Sequence, residues 1–185
     1  MRTILLKLQH TSTLAADLSG KHILLDTTVL INASKSDELL ALLSELSSAG
    51  CGLVTIAPVV YEFTRNANSV TGYNERQEFI KTLNITVLPR VEEMVEKEPV
   101  FRIAYAKAFS TKGDRGPSYT DALLCSVAYK FRANGMLIMT ANHKDIPLSM
   151  FDRVELITID IGGDLRTEAI YKLSLTKLNK IIEAL

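Results

Sequence analysis

Four short segments, far apart in the chain, each set an acid or amide beside an apolar run. They are Ile23-Leu24-Leu25-Asp26, Pro58-Val59-Val60-Tyr61-Glu62, Tyr119-Thr120-Asp121-Ala122-Leu123-Leu124, and Leu137-Ile138-Met139-Thr140-Ala141-Asn142, with Asp145 three residues further on. Carboxylates brought close together repel one another, and a bound divalent cation is the usual resolution. A site built only of oxygen donors suits Mg²⁺ or Mn²⁺ best. Whether these residues meet depends on the elements that carry them.

The apolar patterning supplies such elements. His22 to Leu25 reads as a buried strand ending at Asp26. Residues 29–46 carry helical spacing broken near Ser34-Lys35-Ser36, and Gly50 and Gly52 stop it before a strand at Leu53 to Ile56. Ala57-Pro58 opens the next helix, because Pro is tolerated where a first-turn N–H has no partner. A helix over 74–83, a strand over 85–88 and a helical stretch over 91–110 follow, with Pro99 kinking that stretch or starting its main part. Lys112 to Pro117 is a loop by its Gly and Pro content. Leu123, Leu124, Val127, Ala128 and Phe131 mark the clearest helix, over 118–133, stopped by Asn134-Gly135. A strand over 136–140, a short helix over 147–151, a last strand over 154–159, a Gly162-Gly163 turn and an amphipathic terminal helix over 167–185 complete the reading.

Strands alternating with helices indicate an α/β fold with a central, mainly parallel sheet covered by helices on both faces, a Rossmann-like three-layer sandwich. Ligands of such sheets bind beyond the carboxyl ends of the strands. Asp26 and Asn142 directly follow strands, Glu62 sits one helical turn after one, and Asp121 lies in the first turn of its helix. Each residue also has a purely structural reading. Asp26 can cap a helix, Asp121 can complete a capping box with Ser118, Glu62 can sit on a solvated helix face, and Asn142 can make an Asx turn. Asp145 reads rather as a surface residue near the start of the helix at Pro147. The hydroxyls of Thr28, Ser118 and Thr140 can orient ligands or cap backbone.

The ordered set of segments resembles the PIN-domain family, which includes metal-dependent ribonucleases of the kind found as toxins. Leu25-Asp26-Thr27-Thr28-Val29-Leu30-Ile31 is similar to the family's opening motif, commonly DTNVLI. Pro58 to Glu62 and Thr120 to Leu124 match the second and third segments. Met139 to Ile146 aligns with a fourth of the form T-N-D-x-x-D-F, with Asn142 where the family has Asp and Asp145 at the later acid. The resemblance spans residues 21–158. It implies a PIN domain over 21–160, preceded by an N-terminal extension over 1–20 and followed by a turn and helix over 161–185 of the same domain.

By that resemblance Asp26, Glu62, Asp121 and Asn142 form a catalytic set, with Asp26, Glu62, Asp121 and Asp145 as ligands of Mg²⁺ or Mn²⁺. The ion would activate water against an RNA phosphodiester. Asn142 brings a carbonyl but no charge, so a second, weaker metal would suffer most. Arg65, Lys112, Arg115, His143 and Lys144 are candidates for RNA contact, although single basic residues are usually solvated surface. An antitoxin protein partner is implied by the toxin-like members, and the amphipathic terminal helix suits its own domain, a homodimer or a partner groove.

Composition narrows the alternatives. Lys+Arg and Asp+Glu both number 21, which does not suit a protein coating nucleic acid by bulk charge. Cys51 and Cys125 form neither a disulfide framework nor a zinc site. No apolar run is long enough to span a bilayer, and the first residues lack a signal-peptide core, so a cytoplasmic protein with no membrane partner is expected. No glycine-rich phosphate loop follows the first strand, and Thr28 stands where an aspartyl phosphatase needs a second Asp. Two readings remain: an endoribonuclease, or a catalytically degenerate PIN domain serving as an RNA-binding or assembly module, which Asn142 favours.

Overall fold

The chain is seen in a computed structural model that describes residues 8–65, 67–89, 91, 99–110 and 118–185, with residues 8–12 and 110 described at the backbone only. Its elements run α1 (Leu8–Leu18), β1 (His22–Leu25), α2 (Thr27–Ala33), α3 (Asp37–Ser48), β2 (Gly52–Ile56), α4 (Ala57–Arg65), α5 (Val70–Thr82) and β3 (Thr86–Leu88). After these come α6 (Pro99–Ser110), α7 (Tyr119–Lys130), β4 (Leu137–Thr140), β5 (Phe151–Ile161), β6 (Asp164–Leu173) and α8 (Leu175–Ile182).

The fold is α/β around one six-stranded sheet of order β3-β2-β1-β4-β6-β5. The first four strands of that order are parallel, and β6 and β5 join antiparallel. Strand β1 is central and short, and Ile23, Leu24 and Leu25 are all fully buried, as a strand covered on both faces requires. From β1 the chain steps outward through β2 to β3, then returns to lay β4 on the other side of β1. Right-handed crossovers put α2–α5 over one face of the sheet and the return helices α6 and α7 over the other, an arrangement compatible with three layers. Contacts follow the same division: α2 meets α3 and α4, whereas α6 meets α7 and α8. The change of direction between β1 and β4 opens a crevice at their carboxyl ends, the usual place for a ligand in an open α/β sheet.

Local chemistry explains the element boundaries. Asp26 is the N-cap of α2 and Ser36 of α3, so the break expected near Ser34-Lys35-Ser36 is the seam between two separately capped helices. Pro99 is the first residue of α6, where its missing N–H costs nothing. Cys51 and Cys125 are both buried and unpaired, and the Cys51 thiol donates to the Leu18 carbonyl at 3.1 Å.

Two expectations need correction. The segment expected as the first part of a terminal helix is strand β6, and only Leu175–Ile182 is helical. Gly162 and Gly163 both have positive φ, 63° and 94°, which closes a two-residue hairpin whose twist matches the flanking strands. Once that turn is made, residues 164–173 pair along β5 and insert β6 beside β4, so the sheet captures a segment whose apolar spacing also fits a helix. Residues 147–150 form a single turn instead of a short helix, and Phe151 already belongs to β5. Within the expected N-terminal extension, residues 8–18 are helix α1. It packs against α3, with Ala15 and Leu18 buried in the core.

Because Leu18 is 1% exposed, Leu18→Ala should lower unfolding free energy by about 2–5 kcal/mol, as for any core leucine. Urea denaturation measures this. A loss under about 1 kcal/mol would mean that α1 is an appendage.

Candidate functional site

Asp26 leaves β1 at the crevice and is 4% exposed. Its Oδ1 accepts from the Thr27 amide at 2.6 Å, and its Oδ2 accepts from the hydroxyls of Thr28 at 2.8 Å and Thr140 at 2.7 Å. Those two hydroxyls also accept from backbone: Thr28 from the Ala141 amide at 3.1 Å, Thr140 from the Asn142 amide at 2.8 Å. The ends of β1 and β4 are therefore laced together through one carboxylate.

Glu62 projects from α4 and is half-buried, with one hydroxyl on each oxygen. Thr27 donates to Oε2 and Thr120 to Oε1, both at 2.6 Å. Thr27 thus links Asp26 and Glu62, its amide on one and its hydroxyl on the other. Asp121 lies in the first turn of α7, with Oδ2 accepting from the Ser118 amide at 3.1 Å and hydroxyl at 2.6 Å in a complete capping box. Capping and site membership coincide at both Asp26 and Asp121.

Asn142 is not spent on an Asx turn. Its amide nitrogen donates to the carboxylate of Asp145, whose own backbone carbonyl accepts from the Tyr105 hydroxyl at 3.1 Å. Asp145 therefore folds inward, toward α6 and α7, and the two positions together carry one negative charge.

Electrostatics confirm that these acids share one region. Burial pushes the Asp26 carboxyl above its usual range, hydrogen bonds from Thr140, Thr28 and Thr27 oppose that, and the charge of Glu62 raises it further. Asp121 is pushed up to about 6, chiefly by burial, with the Ser118 hydrogen bonds opposing and the charges of Asp26 and Asp145 adding to it. The charges acting on Asp26 and Asp121 are thus those of other carboxylates. Among the described residues no three Asp, Glu, His or Cys side chains are grouped tightly enough to cage an ion. Mg²⁺ asks for less, since it keeps several waters and is commonly held by one or two carboxylates. The donor set, all oxygen and mutually repulsive, fits such an ion, with Asp26, Glu62 and Asp121 as the residues to hold it.

The expected basic rim is only partly assembled. Arg65, at the end of α4 one turn beyond Glu62, and Lys144 are exposed. His143 is fastened to β6 instead, with Nε2 at 3.1 Å from the Thr167 carbonyl and Nδ1 at 3.0 Å from the Tyr171 hydroxyl. Since a carbonyl can only accept, Nε2 carries the proton and Nδ1 receives the tyrosine's. Burial lowers the His143 pKa, so the ring is neutral near pH 7. Lys112 and Arg115 lie outside the described residues.

Several polar residues that matter here escape a reading of the sequence. The hydroxyls of Thr27 and Thr120 look like ordinary helix-start residues until Glu62 is found between them. Asn32 follows Thr28 by one helical turn, and that polar pair on an otherwise apolar helix was the available signal. Its amide donates at 2.6 Å to Glu168 Oε1 on β6, and Glu168 is fully buried with Oε2 unpartnered. Burial, abetted by the charge of Asp26 and opposed by Asn32, lifts Glu168 to about 7. A pocket of about 660 Å³ lies beside this pair, between α2, the loop after β4, and β6.

No family model matches the chain, and no curated protein matches it either.

Glu168 sets a pH signature. Its folded pKa stands above the unfolded value, so the stability it adds is complete below about 4.5 and is lost as pH rises toward about 7. Glu168→Gln removes that titration. Relative to the variant, the wild-type protein should therefore lose stability between pH 4.5 and 7, with the slope limited to about 1.4 kcal/mol per pH unit. Parallel urea curves across this range would contradict the assignment.

Proposed function

We propose that the protein is a Mg²⁺- or Mn²⁺-dependent endoribonuclease with a PIN-like acid centre. One observation carries the reading: three acids from three different elements gather near the sheet's change of direction, each held by hydroxyls, with the charge of Glu62 acting on Asp26 and that of Asp26 on Asp121. Hydroxyl donors favour ionised carboxylates, and ionised carboxylates in a buried cluster favour a cation. The motif resemblance names RNA as the substrate class, and Arg65 and Lys144 supply positive charge near the mouth.

Asp26, Glu62 and Asp121 would hold the ion. When bound, it lowers the pKa of a coordinated water and neutralises charge on the phosphate. The threonines do the positioning. Thr27 fixes the separation of Asp26 from Glu62, Thr140 and Thr28 fix the rotamer of Asp26, and Thr120 ties Glu62 to the start of α7. Asn142 keeps Asp145 turned inward without adding a charge, which suits a centre built around a single ion.

The bond between Asn142 and Asp145 also favours a second reading. A domain that has lost its second metal position could retain the fold and bind RNA without cutting it, and that reading predicts no response to divalent ions.

Cleavage of a mixed pool of single-stranded and structured RNAs separates the two. The nuclease should cut with Mn²⁺ or Mg²⁺ and stop with chelator. Asp26→Asn should slow cutting by about a hundredfold or more, since even outer-shell changes at metal sites cost roughly 10–100-fold. Equal cutting by this variant, or cutting unaffected by chelator, would refute the metal mechanism. No cutting together with no Mn²⁺ binding would leave the binding module.

A further inference from the structure

The pocket beside the acid centre has features that the cleavage chemistry does not use. Thr28 and Asn142 line it, and these residues also hold Asp26 and Asp145, so the pocket shares a wall with the acid centre. Ile31 and Ala141 give it apolar wall, Asn32 is a buried polar group within it, and Arg166 stands exposed at its edge. Its volume of about 660 Å³ lies in the range of small-ligand sites, roughly 300–1,000 Å³.

The two amides in this pocket are oriented by carboxylates. Asn32 turns its nitrogen to Glu168 and Asn142 turns its nitrogen to Asp145. The Glu168 and Asp145 oxygens that face these amides accept, with Glu168 Oε2 free to carry a proton, so each amide presents its nitrogen to them and each carbonyl oxygen is left for a ligand. Two carbonyl acceptors against apolar wall suit a flat heterocycle bearing an exocyclic amino group. The Arg166 side chain has no ion pair or hydrogen bond to another described residue and suits a phosphate.

We infer that this pocket is a nucleotide subsite that receives a nucleoside flanking the scissile phosphate, with Asn32 and Asn142 reading the base edge and Arg166 holding a neighbouring phosphate. The inference rests on the proposal that RNA approaches the acid centre. It adds a preference: adenine, cytosine and guanine carry an exocyclic amino group and uracil does not. Glu168, buried behind Asn32, is a positioning residue that keeps the Asn32 carbonyl turned outward.

The test is titration of the full chain with adenosine, cytidine, guanosine and uridine 5′-monophosphates in chelator, followed by amide NMR shifts. Chelator separates binding from metal-dependent cleavage. Shifts should centre on Ile31, Asn32, Ala141 and Arg166, with uridine monophosphate the weakest ligand by about tenfold, the scale of one well-made base contact. Arg166→Ala, an exposed change, should weaken all four nucleotides by about fivefold without altering their order, as expected for one charge-assisted hydrogen bond lost at the surface. Ala141→Leu should block the pocket and abolish binding.

Absence of shifts at these residues, or binding indifferent to both variants, would overturn the subsite. Equal affinity for all four nucleotides would overturn the base preference. If metal-loaded protein cuts RNA while mononucleotides leave the pocket untouched, the nuclease stands and the subsite falls. If mononucleotides bind as described and no RNA is cut, the subsite stands and the nuclease falls.

Discussion

The Asp26 carboxylate, buried where β1 and β4 part, is the group on which the rest of the site depends. Burying a charge is costly unless donors surround it, and here three donors do so: the Thr27 amide and the Thr28 and Thr140 hydroxyls. Each donor is fixed by something else. Thr27 and Thr28 open α2, while Thr140 ends β4 and takes up the Asn142 amide. Holding Asp26 therefore fixes the start of α2, the gap between the two strands, and the turn that carries Asn142 and Asp145. Glu62 and Asp121 are held by the same device, a hydroxyl laid on a carboxylate oxygen, from the start of a neighbouring helix for Glu62 and from the N-cap of its own helix for Asp121.

Hydroxyls differ from lysine or arginine in that role. They orient a carboxylate and favour its ionised form, yet they leave its net charge in place. Burial raises the pKa values of Asp26 and Asp121, the latter to about 6, and the charge of a neighbouring carboxylate adds to each. A salt bridge would have discharged this tension internally. Among the described residues no lysine or arginine pairs with these acids, and on the proposed reading this keeps the cluster receptive to a cation from solution, at some cost to stability. Asn142 moderates that cost at one position, since an aspartate there would stand beside Asp145 as a second like charge.

Much of this was legible in the sequence wherever local signals and tertiary structure agree. The short apolar run before Asp26, the Ala57-Pro58 start and the Ser118 capping box each follow from one segment's own chemistry. So does the prospect that Asp26, Glu62 and Asp121 face one crevice, because an alternating α/β order directs strand ends to one edge. What stayed hidden needed a partner elsewhere in the chain. Residues 167–173 have apolar spacing compatible with a helix, and only pairing with β5 across the Gly162-Gly163 turn makes them a strand. Glu168 gains its character from Asn32, 136 positions away. Thr27 and Thr120 are ordinary helix-start residues until Glu62 lies between them. Helix α1 hides its role because its buried residues, Ala15 and Leu18, stand among polar and small residues with no sustained helical apolar stripe.

The central claim is that the Asp26 cluster is a cation site, and calorimetric titration with Mn²⁺ at pH 8 tests it most directly, using wild-type protein and Asp26→Asn with circular dichroism to verify both folds. Saturable binding of an ion by the wild-type protein, weakened at least tenfold in the variant, is the expected result. No binding by folded wild-type protein, or equal binding by both, would contradict it.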